Sequence, residues 1–115
     1  MTIPEFKTKL KTTNLTAITF KETMQVIEDH YNFNPTAFLN GDTINNAGEN
    51  NGSCKLFAFA MHQELTKEET LLCFGEYYQT VLEDKNGTSH QNIRNFMKTS
   101  FKGLSFENEA LTLKK

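Results

Sequence analysis

The sequence predicts a mostly α, compact, single-domain fold of about five helices, with a long ordered Asn/Gly-rich loop and room for one very short β ribbon. Three observations predict it. A hydroxyl residue followed three positions later by Glu opens helical patterns at Thr2 and Glu5, Thr19 and Glu22, and Thr66 and Glu69. In such a box the hydroxyl accepts from the third helical amide while the carboxylate reaches back to the cap amide. Apolar residues after these starts recur at three- and four-residue spacings, the period of a helix with one buried face. The 115 residues also suit one domain spanning the chain, large enough to remove roughly two-thirds of its unfolded surface from water.

The first helix opens at Thr2 with Pro4 in its first turn, where a missing N–H costs nothing. Phe6 and Leu10 share its inner face, and Thr12, Thr13 and Asn14 end it. The second starts at Thr19 and carries Phe20, Met24, Ile27 and Tyr31 as its stripe. Asn34-Pro35 stops it, because proline disfavours helical backbone in the residue before it. Residues 40–53 hold five Asn and three Gly in fourteen positions, which argues against a regular element. Loops of this length are usually functional or disordered. Asn side chains that satisfy neighbouring backbone predict an ordered one.

Ser53 then caps a third helix from Cys54 to about His62, apolar nearly all round and therefore central. The longest helix runs from Thr66 to about Asp84, with Leu71, Phe74, Tyr78, Val81 and Leu82 inward. Gly75 interrupts it at a cost of about 1 kcal/mol relative to Ala, which points to close approach of another helix, the Ala58/Ala60 side of the third. Ser89 caps a fifth helix with Ile93, Phe96 and Met97 inward. The tail alternates Leu104 and Phe106, then Leu111 and Leu113, the pattern of two very short strands.

Composition excludes several functions. A formal net charge of −2 gives no global field for nucleic acid or an anionic membrane, and Lys7, Lys9, Lys11 and Lys21 read as a solvated helix flank. No stretch approaches the roughly 18 apolar residues of a membrane span. The start lacks the charged and apolar regions of a secretory signal, so a cytoplasmic location is expected, with Cys54 and Cys73 as free thiols. The glycosylation-type tripeptides beginning at Asn14, Asn51 and Asn86 are discounted on the same ground. No internal repeat suggests a solenoid.

No cofactor or metal is expected. CxxC and HxxxH pairs are absent. Counting a calcium loop from Asp42 places Ile44 third and Ala47 sixth, where an oxygen ligand and Gly are needed. Lys55 follows Ser53-Cys54 in the wrong order for a phosphate loop, although the helix end behind Ser53 could still hold an anion. Cys54 and His62 lie about 12 Å apart along one helix, too far to pair. Cys73, among Leu71, Leu72 and Phe74, reads as a space-filling thiol.

Three separated motifs resemble the HopJ type III effector protein family. The first is Asn40-Gly41-Asp42 with Ala47-Gly48-Glu49-Asn50-Asn51-Gly52-Ser53-Cys54-Lys55. The second is Thr70-Leu71 with Phe74-Gly75-Glu76-Tyr77-Tyr78, and the third is His90-Gln91-Asn92-Ile93-Arg94-Asn95-Phe96. Together they span about residues 31–106 in the family's order. The resemblance implies export by a type III system, and it carries over no reaction and no catalytic residue.

The candidate ligand or partner site therefore rests on the polar motifs: Asn40, Asn45, Asn51, Ser53 and Cys54 from the loop, His90, Asn92, Arg94 and Asn95 from the last helix start. The leading reading is a non-enzymatic binding or effector-like domain that contacts an unknown protein or small ligand, in an oligomeric state the sequence leaves open. The alternative is a small enzyme between the two motifs, marked by Cys54 and His90 within about 4 Å. A third reading makes the polar motifs purely structural. Arg94 is the one Arg beside eleven Lys, which points to a place needing planar, forked donation, here a clamp on the 40–53 segment.

Overall fold

The computed structural model describes residues 1–11 and 17–114. The expected end of the first helix at Thr12, Thr13 and Asn14, and the tripeptide Asn14-Leu15-Thr16, lie outside them. In order come α1 (Ile3–Leu10), α2 (Phe20–His30), β1 (Tyr31–Phe33), β2 (Phe38–Asn40), β3 (Thr43–Asn45), α3 (Asn51–His62), α4 (Lys67–Leu72) and α5 (Glu76–Glu83). They are followed by α6 (Gln91–Thr99), a 3-10 turn (Ser100–Gly103), β4 (Leu104–Phe106) and β5 (Leu111–Leu113).

All three boxes form. Thr2, Thr19 and Thr66 each accept from the amide three residues on, and Glu5, Glu22 and Glu69 return the bond to the cap amide. The third helix is central, as its composition predicts: Cys54 and every residue from Leu56 to Ala60 are buried. Phenylalanines radiate from it. Phe57 meets Phe74 edge-on at 5.4 Å and Phe96 at 5.0 Å, while Phe59 meets Phe6 and Tyr31 edge-on, each at 5.9 Å. Burying one such ring is worth roughly 1.5–3 kcal/mol, and each edge contact adds about 0.5–1.5 kcal/mol.

The mostly α expectation is wrong. The fold is mixed α/β, with six helices and two small antiparallel sheets among the described residues. The second helix does not run to Asn34-Pro35; it ends at His30, and Tyr31 turns extended at φ −133° and ψ 150°. β1 pairs with β5, and β2 lies between β3 and β4. The two tail strands thus exist, but each pairs with an earlier strand and not with the other, so two sheets stand where one ribbon was expected.

The 40–53 segment is no irregular loop either. Asn40 closes β2, Gly41 takes φ +64° at the first turn position, where two-residue hairpins favour glycine, and β3 returns. Helical backbone resumes at Asn51, upstream of the expected Ser53 cap.

The long helix expected over 66–84 is two helices, which raises the count to six. Gly75, at φ +56° and ψ −125°, breaks it. A Cβ there would stand 2.6 Å from the Phe20 nitrogen, 2.8 Å from the Ile18 carbonyl oxygen and 2.9 Å from the Thr19 carbonyl carbon. Its close neighbour is therefore the backbone entering α2, and not the Ala58/Ala60 side of α3. The break leaves the Cys73 carbonyl without a helical donor, and the Thr23 hydroxyl donates to it at 2.7 Å. Glu76 then accepts from the Phe20 amide at 2.7 Å, locking the starts of α2 and α5 together.

Candidate functional site

Two polar features meet where α3 and α6 begin. The first is a buried amide network. Asn92 accepts at Oδ1 from Asn40 (2.9 Å) and Asn45 (3.2 Å), and its Nδ2 donates to Asn45 Oδ1 at 3.0 Å. Asn40 Nδ2 also donates to the Asn92 carbonyl at 2.8 Å. Asn95 donates to the Asn40 carbonyl at 3.1 Å and to the Thr43 hydroxyl at 2.7 Å. Asn50 donates to Asn45 Oδ1 at 2.7 Å. α6 therefore reads the inner face of the β2–β3 hairpin through side-chain amides. Asn40 Oδ1 is the one buried side-chain polar atom among the described residues left without a partner.

The second feature is a pair of helix starts without side-chain caps. Asn50 and His90, the N-caps of α3 and α6, both take left-handed backbone, φ 51° and 52°, and neither side chain bonds to its first turn. The expected caps, Ser53 and Ser89, do not act as such. The free amides of a first turn carry positive dipole and seek an acceptor. Both starts open on one cleft of about 240 Å3. Phe20, Tyr77 and His90 form its aromatic wall: Tyr77 lies 5.0 Å from Phe20, and the His90 ring stacks on Tyr77 at 5.1 Å. Gly52 makes room, because a Cβ there would come within 2.8 Å of the Phe20 ring edge. Ser53, Gln91 and Asn92 supply neutral polar groups to the lining.

The structure thus divides the sequence-predicted residues. Ser53, His90 and Asn92 line the cleft. Asn40, Asn45 and Asn95 sit buried behind it in the amide network, and Asn51 is exposed on the first turn of α3. Cys54 faces away, with its thiol toward the Thr36 carbonyl at 3.9 Å. His90 is on the cleft and Cys54 is not among its lining residues, so the imagined Cys/His pair is not assembled there. Both thiols are free and buried, and burial raises the pKa of each.

A model of the family described as HopJ type III effector protein matches residues 3–111. The chain belongs to the HopJ family. The HopJ chain is also similar to a crystal structure described as the unknown function protein VPA0580, with TM-score 0.94 and 50% identity, covering 99% of this chain and 95% of that one. No curated protein matches it. No helix among the described residues of the HopJ chain is long and apolar enough to cross a membrane.

Sequence reasoning missed Phe20, Tyr77 and Gln91 as site residues of this HopJ protein. Tyr77 left a signal: beside buried Tyr78 it falls off the inner stripe of α5, and it is exposed. Phe20 left none, since it belongs to the apolar stripe of α2.

Arg94 does clamp, but its target is not the 40–53 segment. It is buried, donating from Nε to the Ser89 carbonyl and from Nη1 to the carbonyls of Asp84 (2.8 Å) and Lys85 (3.3 Å). Three carbonyls of the α5–α6 connection thus converge on one guanidinium, a geometry that a single ammonium cannot reproduce. Arg94→Lys and Arg94→Ala should each lower stability by about 1–3 kcal/mol and speed amide exchange over residues 84–90. Denaturant unfolding with hydrogen exchange checks this; equal midpoints for both variants and wild type would remove the clamp.

Proposed function

We propose that this HopJ-family protein is a non-enzymatic binding domain whose small-ligand site is the cleft between the starts of α3 and α6. The observation that carries the reading is the convergence of two helix starts lacking side-chain caps on a cavity walled by Phe20, Tyr77 and His90. Aromatic faces take a planar group by stacking, and helix-start amides take an oxygen acceptor at its edge. The volume, about 240 Å3, falls below the roughly 300–1,000 Å3 of pockets for drug-sized ligands, which favours a single-ring compound. Apart from His90 and Tyr77, no residue of the lining has an acidic or basic side chain. That supports binding over turnover, the alternative reading for the same place.

Nuclear magnetic resonance titration with benzoate, nicotinamide and adenine tests it. At least one probe should shift the amides of residues 50–53, 77 and 90–93 selectively. Tyr77→Ala should weaken that probe by roughly 3–10-fold, the worth of one aromatic contact. The reading fails if none of the three perturbs these amides at ~10 mM, an affinity floor of only a few kcal/mol. Conversion of a bound probe would favour the enzyme instead.

A further inference from the structure

A second concavity, separate from the aromatic cleft, lies on the other side of the first turn of α6. It runs between α5 and α6 beneath the connection that Arg94 clamps, and its volume is about 450 Å3, within the range of ligand pockets. Val81, Leu82 and Met97 give it an apolar floor, and Lys85, Arg94 and Lys98 line it. No Asp or Glu is among its lining residues. In a chain of net charge −2, three cations around one apolar groove outnumber the single carboxylate beside its Gly87 rim, that of Asp84.

Arg94 gives the groove a built polar end. The residue is 8% exposed, and its Nε and Nη1 are occupied by backbone carbonyls. Its Nη2 is held only loosely, 3.5 Å from the Ser89 hydroxyl and 3.8 Å from an oxygen of the exposed Asp84 carboxylate. A ligand carboxylate at bonding distance from Nη2 would replace this long contact, and the exposed Asp84 side chain is free to swing out to water. The Lys85 and Lys98 ammonium groups reinforce the choice of sign, while their stems extend the apolar walls.

We propose that the α5–α6 groove is a binding site for a free medium-chain carboxylic acid. The carboxylate sits against Arg94 Nη2 between Lys85 and Lys98, and the tail lies over Val81, Leu82 and Met97. Charge complementarity sets the head, and the apolar floor sets the tail.

Sodium octanoate, 1-octanol and octylammonium chloride share a tail and differ in the head, so they separate the two contributions. Octanoate should bind with a dissociation constant on the order of 0.1–1 mM, shifting amides of residues 81–98. The alcohol should bind about tenfold more weakly or worse, and the ammonium should not bind. Because Arg94 variants are expected to lose stability, the decisive variant is Lys85→Glu/Lys98→Glu, which changes two exposed side chains. It should weaken octanoate about tenfold while leaving the unfolding midpoint in place. Equal affinity for octanoate and octanol would overturn the proposal, as would an unaffected double variant. Co-sedimentation with phosphatidylglycerol vesicles in the absence of octanoate binding would overturn it too, reassigning the groove to a lipid surface. So would self-association through the groove that octanoate fails to compete away.

Discussion

Gly75→Ala should lower the unfolding free energy by about 2–6 kcal/mol, a large fraction of what an ordinary domain has. Two costs combine. At φ +56° and ψ −125° a side-chain-bearing residue is strained by about 1–3 kcal/mol. The added methyl also meets three backbone atoms of residues 18–20 at under 3 Å, and overpacking of this kind costs about 1–3 kcal/mol more. That backbone cannot retreat freely, because the Phe20 amide is tied to Glu76. Gly48→Ala is the control: Gly48 also has positive φ, +90°, but a Cβ there meets nothing within 4 Å. Denaturant unfolding should show a loss of only about 1–2 kcal/mol for Gly48→Ala. Equal losses at the two positions would mean that the contact with the α2 entry contributes nothing.

Asn92→Ala should cost about 2–4 kcal/mol, since it deletes both acceptor and donor at the centre of the amide network. Asn45 Nδ2 then keeps only the Phe38 carbonyl at 3.5 Å, and the hairpin is left tied to α6 by the Asn95 bonds and the residue-92 carbonyl. Hydrogen exchange should accelerate over residues 38–50. Asn92→Asp separates shape from chemistry. A carboxylate keeps the acceptor for Asn40 and Asn45 but sets a second oxygen against Asn45 Oδ1, now at hydrogen-bond distance. Repulsion and burial would raise that carboxyl's folded pKa above the unfolded value of about 3.9. The folded state then binds more protons than the unfolded one, so the variant's stability falls as pH rises through this range. Its deficit against wild type should be smaller at about pH 4 than at about pH 7. A deficit independent of pH, or none for Asn92→Ala, would show that the network is not what holds the hairpin.

Much of the helical frame was legible because its signals are local. A Thr and a Glu three residues apart mark a start wherever they occur with an apolar stripe behind them, and Thr2, Thr19 and Thr66 all do so. The central burial of α3 follows from Leu56 to Ala60, which leave it no polar side to show to water over those residues. The hairpin was illegible for the opposite reason. Its inward residues are Phe38, Asn40 and Asn45, while Leu39 and Ile44 point outward, at 39% and 72% exposure. A search for apolar alternation sees the wrong face, and a search for loops sees Asn and Gly. The inward polarity makes sense only with Asn92 and Asn95 in place, and the spacing between the motifs does not reveal that they meet. Similarly, Gly75 marked a close approach but not its partner. Arg94 marked a clamp, and the carbonyls it holds, only five to ten residues upstream, were overlooked in favour of a distant target.

The hairpin's inverted polarity also bears on the order of events as the chain is made. Asn40 and Asn92 are separated by 52 residues and Asn45 and Asn92 by 47. At about 5–20 residues per second, a growing chain completes residues 38–45 roughly 3–10 s before α6 exists. During that interval α3 is already made and Phe57 can take the Phe38 ring, but Asn40 and Asn45 still lack their partners on α6. The apolar side chains of Leu39 and Ile44 then compete with Phe38 for the inward face. Sliding by one residue exchanges the two faces of a strand, so an early pairing with the apolar face inside must open before Asn92 and Asn95 can dock. Synthesis of α6 therefore sets the earliest moment at which the amide network can fix the face that Phe38 favours, and β4, made later still, completes the sheet on it.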